Sequence, residues 1–265
     1  MNSRLWMALV AGALCSLSAA AQEVTLTRLE CGNGSNDPRR FTDTYAYTET
    51  AKPFTFSCYV IRHGNDVMVW DTGYLPGSVP NATNKPLADL LKQIKVDPAE
   101  VKYVGISHFH ADHTGQLGPL KNATLLIGKK DWEGITATPP LAGANAKGFE
   151  EWIAEKRKVE QLTADKDVFG DGTVMILRAP GHTPGHTMLL VRLKGMGPVV
   201  LSGDAAHFHE NYVNEGVPSF NDDRAQTIAS IQRIKGIEKN LKATIIIQHD
   251  PRDISKLPTF PEAAK

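Results

Sequence analysis

No run of lysines and arginines dense enough to follow a phosphate backbone occurs in this sequence, and its 29 basic and 29 acidic residues cancel to a formal net charge of zero. Both absences argue against a nucleic acid or another polyanion as partner. Long apolar runs are missing too: the one near the N-terminus, Leu5 to Leu17, falls short of the roughly 20 residues that a membrane-spanning helix needs. Arg4 precedes it and Ala19-Ala20-Ala21 close it, the order of a secretory signal peptide. Residues 1–21 are therefore expected to be removed, leaving residues 22–265 periplasmic or secreted and without a membrane anchor. Leu14 is bulkier than the small residue that lipoprotein processing favours before a cysteine, which argues against lipid attachment at Cys15. Cysteine is scarce. Only Cys31 and Cys58 remain after cleavage, in a compartment where disulfides persist, and they either pair or stay as two buried thiols. No Ser/Gly linker or low-complexity segment divides the chain, so residues 22–265 read as a single domain.

What is present is dominated by short apolar runs bounded by turn residues. VTLTRLE and SCYVIRHGNDVMVWDTG read as strands, the second stretch folding back around His63-Gly64-Asn65. In PLADLLKQI, Leu87, Leu90, Leu91 and Ile94 fall at helical spacing and predict one buried face. VKYVGIS, ATLLIG, TVMILRAP, MLLVRLK, PVVLSGD and ATIIIQHD are further strands, with a helix over FEEWIAEKRK, Phe149 to Lys158, and a longer one within FNDDRAQTIASIQRIKGIEKN. Asp222 or Asp223 can cap that longer helix, and Ile228, Ile231 and Ile234 mark its inward face. Strand runs followed by helices, twice over, indicate an α/β fold with sheets inside and helices outside.

The stretch SHFHADHTG, Ser107 to Gly115, carries the chemistry: His108, His110, Asp112 and His113 fall within six residues, directly after the strand VKYVGIS. Two histidines two apart at the end of an extended segment project to one face, and imidazole with carboxylate suits zinc or another first-row divalent ion. Three more candidates stand at similar places. His182 follows TVMILR, Asp204 ends PVVLSGD and His249 lies at the end of ATIIIQHD, each just past the carboxyl end of an apolar strand, where α/β folds gather their sites. One tetrahedral ion cannot take all seven side chains, so two divalent ions, zinc foremost, are expected.

SHFHADHTG, PGHTPGH, SGD and QHD together resemble the metallo-β-lactamase superfamily, whose pattern is HxHxDH, then His, then Asp, then His. The resemblance runs in the same order along nearly all of residues 22–265. It implies a four-layer αββα sandwich in which His108, His110 and His182 hold one metal, Asp112, His113 and His249 the second, and Asp204 bridges them. Asp71, in VWDTG, matches an early aspartate of the superfamily that orients a ligand.

Residues between the ligands narrow the branch. His110 stands where the iron-binding redox branch has a carboxylate, and Asp204 stands where the true β-lactamases have a cysteine or serine. The LECG start, FSCYVIRHG leading to VWDTG, the GDAAHFHENY segment and QHDPRD are most similar to the N-acyl-homoserine lactonases. That resemblance implies ring opening of an acyl lactone, a small-molecule substrate, by a hydroxide bridging two metals, with Asp112 shuttling a proton to the leaving oxygen. One departure stands out: those lactonases commonly place a tyrosine three residues after the bridging aspartate, and this chain has His207 there. A neutral imidazole can donate the same hydrogen bond, and His209 or Tyr212 are alternatives. His186 either supports His182 or packs beneath its turn. The same ligands could instead serve another ester, a thioester, a β-lactam or an organophosphate, and a protein that only binds metal is a further alternative. A homodimer is compatible with the sequence, dimers being the commonest assemblies.

Overall fold

The stretch TMLLVRL, Thr187–Leu193, shows how the layers arise. Its side chains alternate between two buried faces, where a strand at a surface would alternate buried with wet. Met188 and Leu190 pack with Ile231 and Ile234 of a helix, whereas Leu189 and Val191 pack with Leu26, Tyr59, Ile61 and Trp70 of another sheet. A strand covered by a helix on one side and a sheet on the other belongs to a four-layer sandwich.

The computed structural model describes residues 22–79 and 82–265, so the expected signal peptide, residues 1–21, lies outside the described residues. The strands are β1 (Val24–Asn36), β2 (Lys52–His63), β3 (Asp66–Trp70), β4 (Thr83–Asn84), β5 (Tyr103–Gly105), β6 (Thr124–Gly128), β7 (Val159–Leu162), β8 (Lys166–Asp167), β9 (Val174–Arg178), β10 (Thr187–Leu193), β11 (Gly197–Leu201) and β12 (Thr244–Ile246). The α-helices are α1 (Leu87–Gln93), α2 (Ala111–Thr114), α3 (Lys129–Thr136), α4 (Glu150–Ala154), α5 (His209–Asn214) and α6 (Arg224–Leu241). One sheet has seven strands in the order β4-β1-β2-β3-β5-β6-β7, and the other has five in the order β12-β11-β10-β9-β8. The core between the sheets is built by residues such as Tyr59, Met68, Trp70, Leu126, Val174 and Leu201. Outside the larger sheet, Val60, Val69, Val104 and Leu125 meet Leu87, Leu90 and Leu91 of α1, Ile135 of α3 and Trp152 of α4. Each fully buried aliphatic side chain in these layers contributes roughly 1.5–3 kcal/mol. This is the αββα architecture expected from the sequence.

Local departures have local causes. The helix expected over Phe149 to Lys158 shortens to α4, because Lys156 adopts a left-handed φ of 52° and turns the chain back into β7. β7 itself, VEQL, has too few apolar residues to signal a strand, yet it pairs in parallel with β6 at the sheet edge. In α6 the Asp223 side chain accepts the Gln226 N–H at 2.9 Å and caps the helix. Ile231 and Ile234 face inward with Thr227 and Ser230, whereas Ile228 is only half-buried. Cys31 and Cys58 form a disulfide between β1 and β2, with Cα atoms 5.9 Å apart and 27 residues of separation. Loop-closure entropy for such a span is worth about 3.5 kcal/mol. Among the described residues, no helix is long and apolar enough to cross a membrane.

Strand direction positions the site. β3, β5 and β6 run parallel, with Trp70 opposite Gly105 and Gly105 opposite Leu126, so the segments that follow them leave from one edge. In the other sheet β11 and β12 are parallel with Leu201 opposite Ile246, which brings Asp204 and His249 out side by side.

Candidate metal centre

The seven candidate ligands converge on that shared edge. His108, His110, Asp112 and His113 follow β5, His182 follows β9, Asp204 follows β11 and His249 follows β12. Their donor atoms form two groups, His108, His110, His182 and Asp204, and Asp112, His113, Asp204 and His249, with the atoms of each group within 4.8 Å of one another.

In the first group His110 Nδ1 lies 2.9 Å from His108 Nε2 and 3.1 Å from His182 Nε2. Ligands on one tetrahedral zinc stand about 3.3 Å apart. The His108 Nδ1–H is donated to Ser107 Oγ at 3.1 Å, so its Nε2 carries a lone pair toward the other two rings. Burial pushes His108, His110 and His182 below the ordinary imidazole range, and they are neutral donors near neutral pH. In the second group the Asp204 Oδ1 atom is 2.9 Å from His249 Nε2 and 3.3 Å from His113 Nε2. Asp112 Oδ2 completes it at 3.5 Å from His249 Nε2 and 3.6 Å from His113 Nε2. Asp204 Oδ2 turns the other way, 3.4 Å from His182 Nε2 and 3.7 Å from His108 Nε2. Burial alone would raise the Asp204 carboxyl, but the imidazoles around it, His249 first, hold it well below the usual carboxylate range.

Close as these atoms lie, His113 Nε2, His249 Nε2 and Asp204 Oδ1 are buried and make no hydrogen bond with one another or with any other described residue. Such orphans are rare in folded proteins and mark an absent partner. Converging imidazole lone pairs and a carboxylate facing both ways fit two divalent cations, each reached by ligands from both sheets.

Neighbouring groups fix the ligands. Asp71, fully buried and at a left-handed φ of 55°, accepts the Ser107 N–H at 2.7 Å, the Ser107 hydroxyl at 2.9 Å and the His113 Nδ1–H at 2.8 Å. It leaves the His113 Nε2 atom free for a metal, the orienting part expected of this residue. His249 donates its Nδ1–H to the Thr55 carbonyl at 2.8 Å with the same result. His186 does not support His182. Its Nδ1–H goes to the Ala179 carbonyl at 2.9 Å and its Nε2 accepts the Asp204 N–H at 2.9 Å, so it holds the backbone of the shared aspartate. Burial depresses the His186 imidazole to about 4, which keeps that acceptor neutral.

Asp131, at the start of α3, gave no signal in the sequence. It is a lone acid in GKKDWEG whose partners are 22 to 54 residues away. Its carboxylate accepts the Phe109 N–H at 3.2 Å, the Thr183 hydroxyl at 2.8 Å and the Gly185 N–H at 2.6 Å, tying the loop of His108 and His110 to the turn of His182. Gly185 must be glycine for this contact, since a Cβ there would fall within 2.9 Å of Asp131 atoms, backbone nitrogen included.

A cavity of about 260 Å³ opens over the ligands, lined by Arg40, Phe41, Phe54, Tyr74, His207 and Phe220 together with His110, Asp112 and Asp204. Phe54 stacks on the His249 ring at 3.9 Å between centroids. Phe41 and Phe54 of this lining pack into a buried aromatic cluster with Phe56 and Phe208, which has no signature in the sequence pattern. His207 lies in the lining, but its Nε2 is 3.1 Å from Asp204 Oδ2 and Nδ1 has no partner. Burial lowers the His207 imidazole, so the neutral ring donates its one proton to Asp204. The two alternatives to His207 are committed elsewhere: His209 Nε2 binds Asp253 at 2.5 Å and the Tyr212 hydroxyl binds Glu238 at 2.7 Å.

Comparison with known proteins agrees with this geometry. An N-acyl homoserine lactonase, AttM, of Azorhizobium caulinodans is 33% identical over 165 residues, covering 61% of this chain and 62% of its own length. A second AttM lactonase, from Rhizobium radiobacter, is 34% identical over 178 residues, covering 65% of this chain and 68% of its own length. Among solved structures, a quorum-quenching N-acyl homoserine lactone hydrolase superposes with a TM-score of 0.78 at 25% identity, covering 92% of this chain and 99% of that one. Residues 52–249 match the family described as the metallo-beta-lactamase superfamily, and with its fold and two ligand groups the chain belongs to that superfamily.

Proposed function

We propose that this protein is an exported dinuclear metal-dependent hydrolase, most plainly a zinc enzyme, that opens the lactone ring of N-acyl-homoserine lactones and so removes a bacterial signal. Two donor groups sharing Asp204 carry the reading. Its assignment to a lactone is supported by 33% and 34% identity to two lactonases over 61% and 65% of the chain. Residues 22–265 act as one catalytic domain after loss of the leader. The buried disulfide suits an oxidising compartment, and the zero net charge suits a small molecule over a polyanion.

His108, His110 and His182 would hold one ion and Asp112, His113 and His249 the other, with Asp204 shared. Two such ions, when bound, would supply Lewis-acid polarisation of the lactone carbonyl and lower the pKa of water from 15.7 to roughly 7. Asp112 is the proton carrier: its side chain keeps 13% exposure where that of Asp204 keeps 4%, and it faces the cavity. It takes one proton from the attacking water and returns it to the ring oxygen as the carbon–oxygen bond breaks, leaving a hydroxyl and a carboxylic acid that gives the second water proton to solvent. His207 acts through Asp204, donating to its Oδ2 and fixing the rotamer that divides its oxygens between the two groups.

The test is hydrolysis of acyl lactones graded by chain length by purified zinc-loaded protein. We expect ring opening, and a loss of about 10²- to 10⁴-fold for Asp112→Asn, with His110→Ala inactive. Efficient opening of β-lactams, thioesters or organophosphates with lactones untouched would reassign the substrate. Tight binding of two ions with no hydrolysis of any of these would make it a binding protein.

A further inference from the structure

Three of the buried tyrosines give their hydroxyl proton to the protein. Tyr47 donates to Glu210 at 3.2 Å, Tyr59 to Gln248 at 3.4 Å and Tyr212 to Glu238 at 2.7 Å. Tyr74, half-buried in the wall of the cavity over the ligands, makes no hydrogen bond through its hydroxyl among the described residues. The rest of the residue is held firmly. It directly follows the Asp71-Thr72-Gly73 turn, whose Gly73 carbonyl accepts the Gly115 N–H at 2.8 Å. Gln116 Nε2 donates to the Tyr74 carbonyl at 2.8 Å, and the ring stands edge-on to Phe56 with centroids 5.0 Å apart. Phe56 in turn packs edge-on to His249, which puts the phenol on the side of Asp112, His113 and His249. Asp112 is the charge that acts most strongly on its hydroxyl. An anchored ring with an uncommitted donor, half-sheltered from water beside the reacting groups, is preorganised for an oxygen that gains charge during reaction. His207 cannot do this while its proton is on Asp204, and Arg40 stands exposed at the mouth.

Resting on the lactonase reading, we propose that Tyr74 is a catalytic residue whose hydroxyl donates a hydrogen bond to the carbonyl oxygen of the substrate ester as that oxygen gains negative charge. The donor therefore reaches the site from the turn after β3, ahead of the metal-binding motif in the chain.

Tyr74→Phe removes the donor and keeps the ring on Phe56. The experiment measures kcat and KM of the zinc-loaded wild type and variant on hexanoyl-homoserine lactone, with zinc content and Tm of both. We expect kcat to fall about 100-fold, KM to change less than threefold, and two zinc ions per chain and Tm to stay as in the wild type. A variant within twofold of the wild type in kcat overturns the assignment. Loss of zinc in the variant also overturns it, because Tyr74 then serves Asp112 and not the substrate. A wild type that opens no lactone overturns the lactonase reading and this assignment with it, so the two failures are told apart by the wild-type arm alone.

Discussion

Replacing Asp71 by asparagine tests how the centre is held, because it changes one oxygen to an amide without disturbing the backbone. Asparagine, like aspartate, tolerates the left-handed φ of 55° found there. Alanine would add strain of roughly 1–2 kcal/mol and blur the result. The carboxylate now accepts three hydrogen bonds, from the Ser107 N–H, the Ser107 hydroxyl and the His113 Nδ1–H. In Asp71→Asn one oxygen can still accept from the Ser107 N–H, but an NH₂ group faces the His113 ring and the Ser107 hydroxyl. At least one hydrogen bond to a charged group is lost, worth about 1.5–3 kcal/mol. His113 loses its fixed orientation, and zinc affinity in the group it shares with Asp112, Asp204 and His249 should fall about 10- to 150-fold. The first group touches Asp71 only through Ser107 and should weaken much less. Competition against a chromophoric chelator measures both affinities, and near-ultraviolet circular dichroism checks the fold. If a correctly folded variant held both zinc ions within twofold of the wild type, the orienting role of Asp71 would be refuted.

Other outcomes follow from the same contacts. Burial pushes the Asp131 carboxyl from 3.8 up to about 7, so between those pH values the folded chain keeps a proton that the unfolded chain has released. The resulting stabilisation is complete below pH 4 and is lost as the pH rises through 7; relative to Asp131→Asn, the unfolding free energy of the wild type should fall by up to about 4 kcal/mol across that window, and a difference independent of pH in urea titrations refutes it. Cys31→Ala with Cys58→Ala should lower the unfolding free energy by about 3.5 kcal/mol, and equal stability by the same titrations would remove the disulfide from the account. His207→Phe should lose about 10- to 150-fold in kcat, the worth of one hydrogen bond to a charged acceptor; an undiminished rate would leave His207 as packing only.

The ligands were legible because chemistry and strand pattern coincide in them. His108 to His113, His182, Asp204 and His249 each follow an apolar run, and a sequence reader sees both the run and its polar end. The layers were legible for the same reason, since strands covered on both faces read as continuous apolar stretches. What escaped depends on contacts between distant segments. Asp131 looks like any surface acid of a short helix until Gly185 and Thr183 arrive from 52 to 54 residues further on. His186 is three residues past PGHT, and only the fold shows that its ring holds Asp204 and not His182. Tyr74 follows the aspartate turn as an unremarkable aromatic residue, and only the fold shows that its uncommitted hydroxyl lines the cavity over the ligands. His209 and Tyr212 illustrate the reverse error: near His207 in sequence, they are drawn off by Asp253 and Glu238.

Each donor group draws on both sheets. His108 and His110 leave the larger sheet and His182 the smaller, and Asp112 and His113 meet Asp204 and His249 in the same way. Bound ions are therefore cross-links as well as reagents. They would clamp two sheet edges that no strand pairing joins among the described residues, and by mass action an ion at a thousand times its dissociation constant adds about 4 kcal/mol to the folded state. Metal loading should therefore raise resistance to unfolding most at the edge over which the cavity opens.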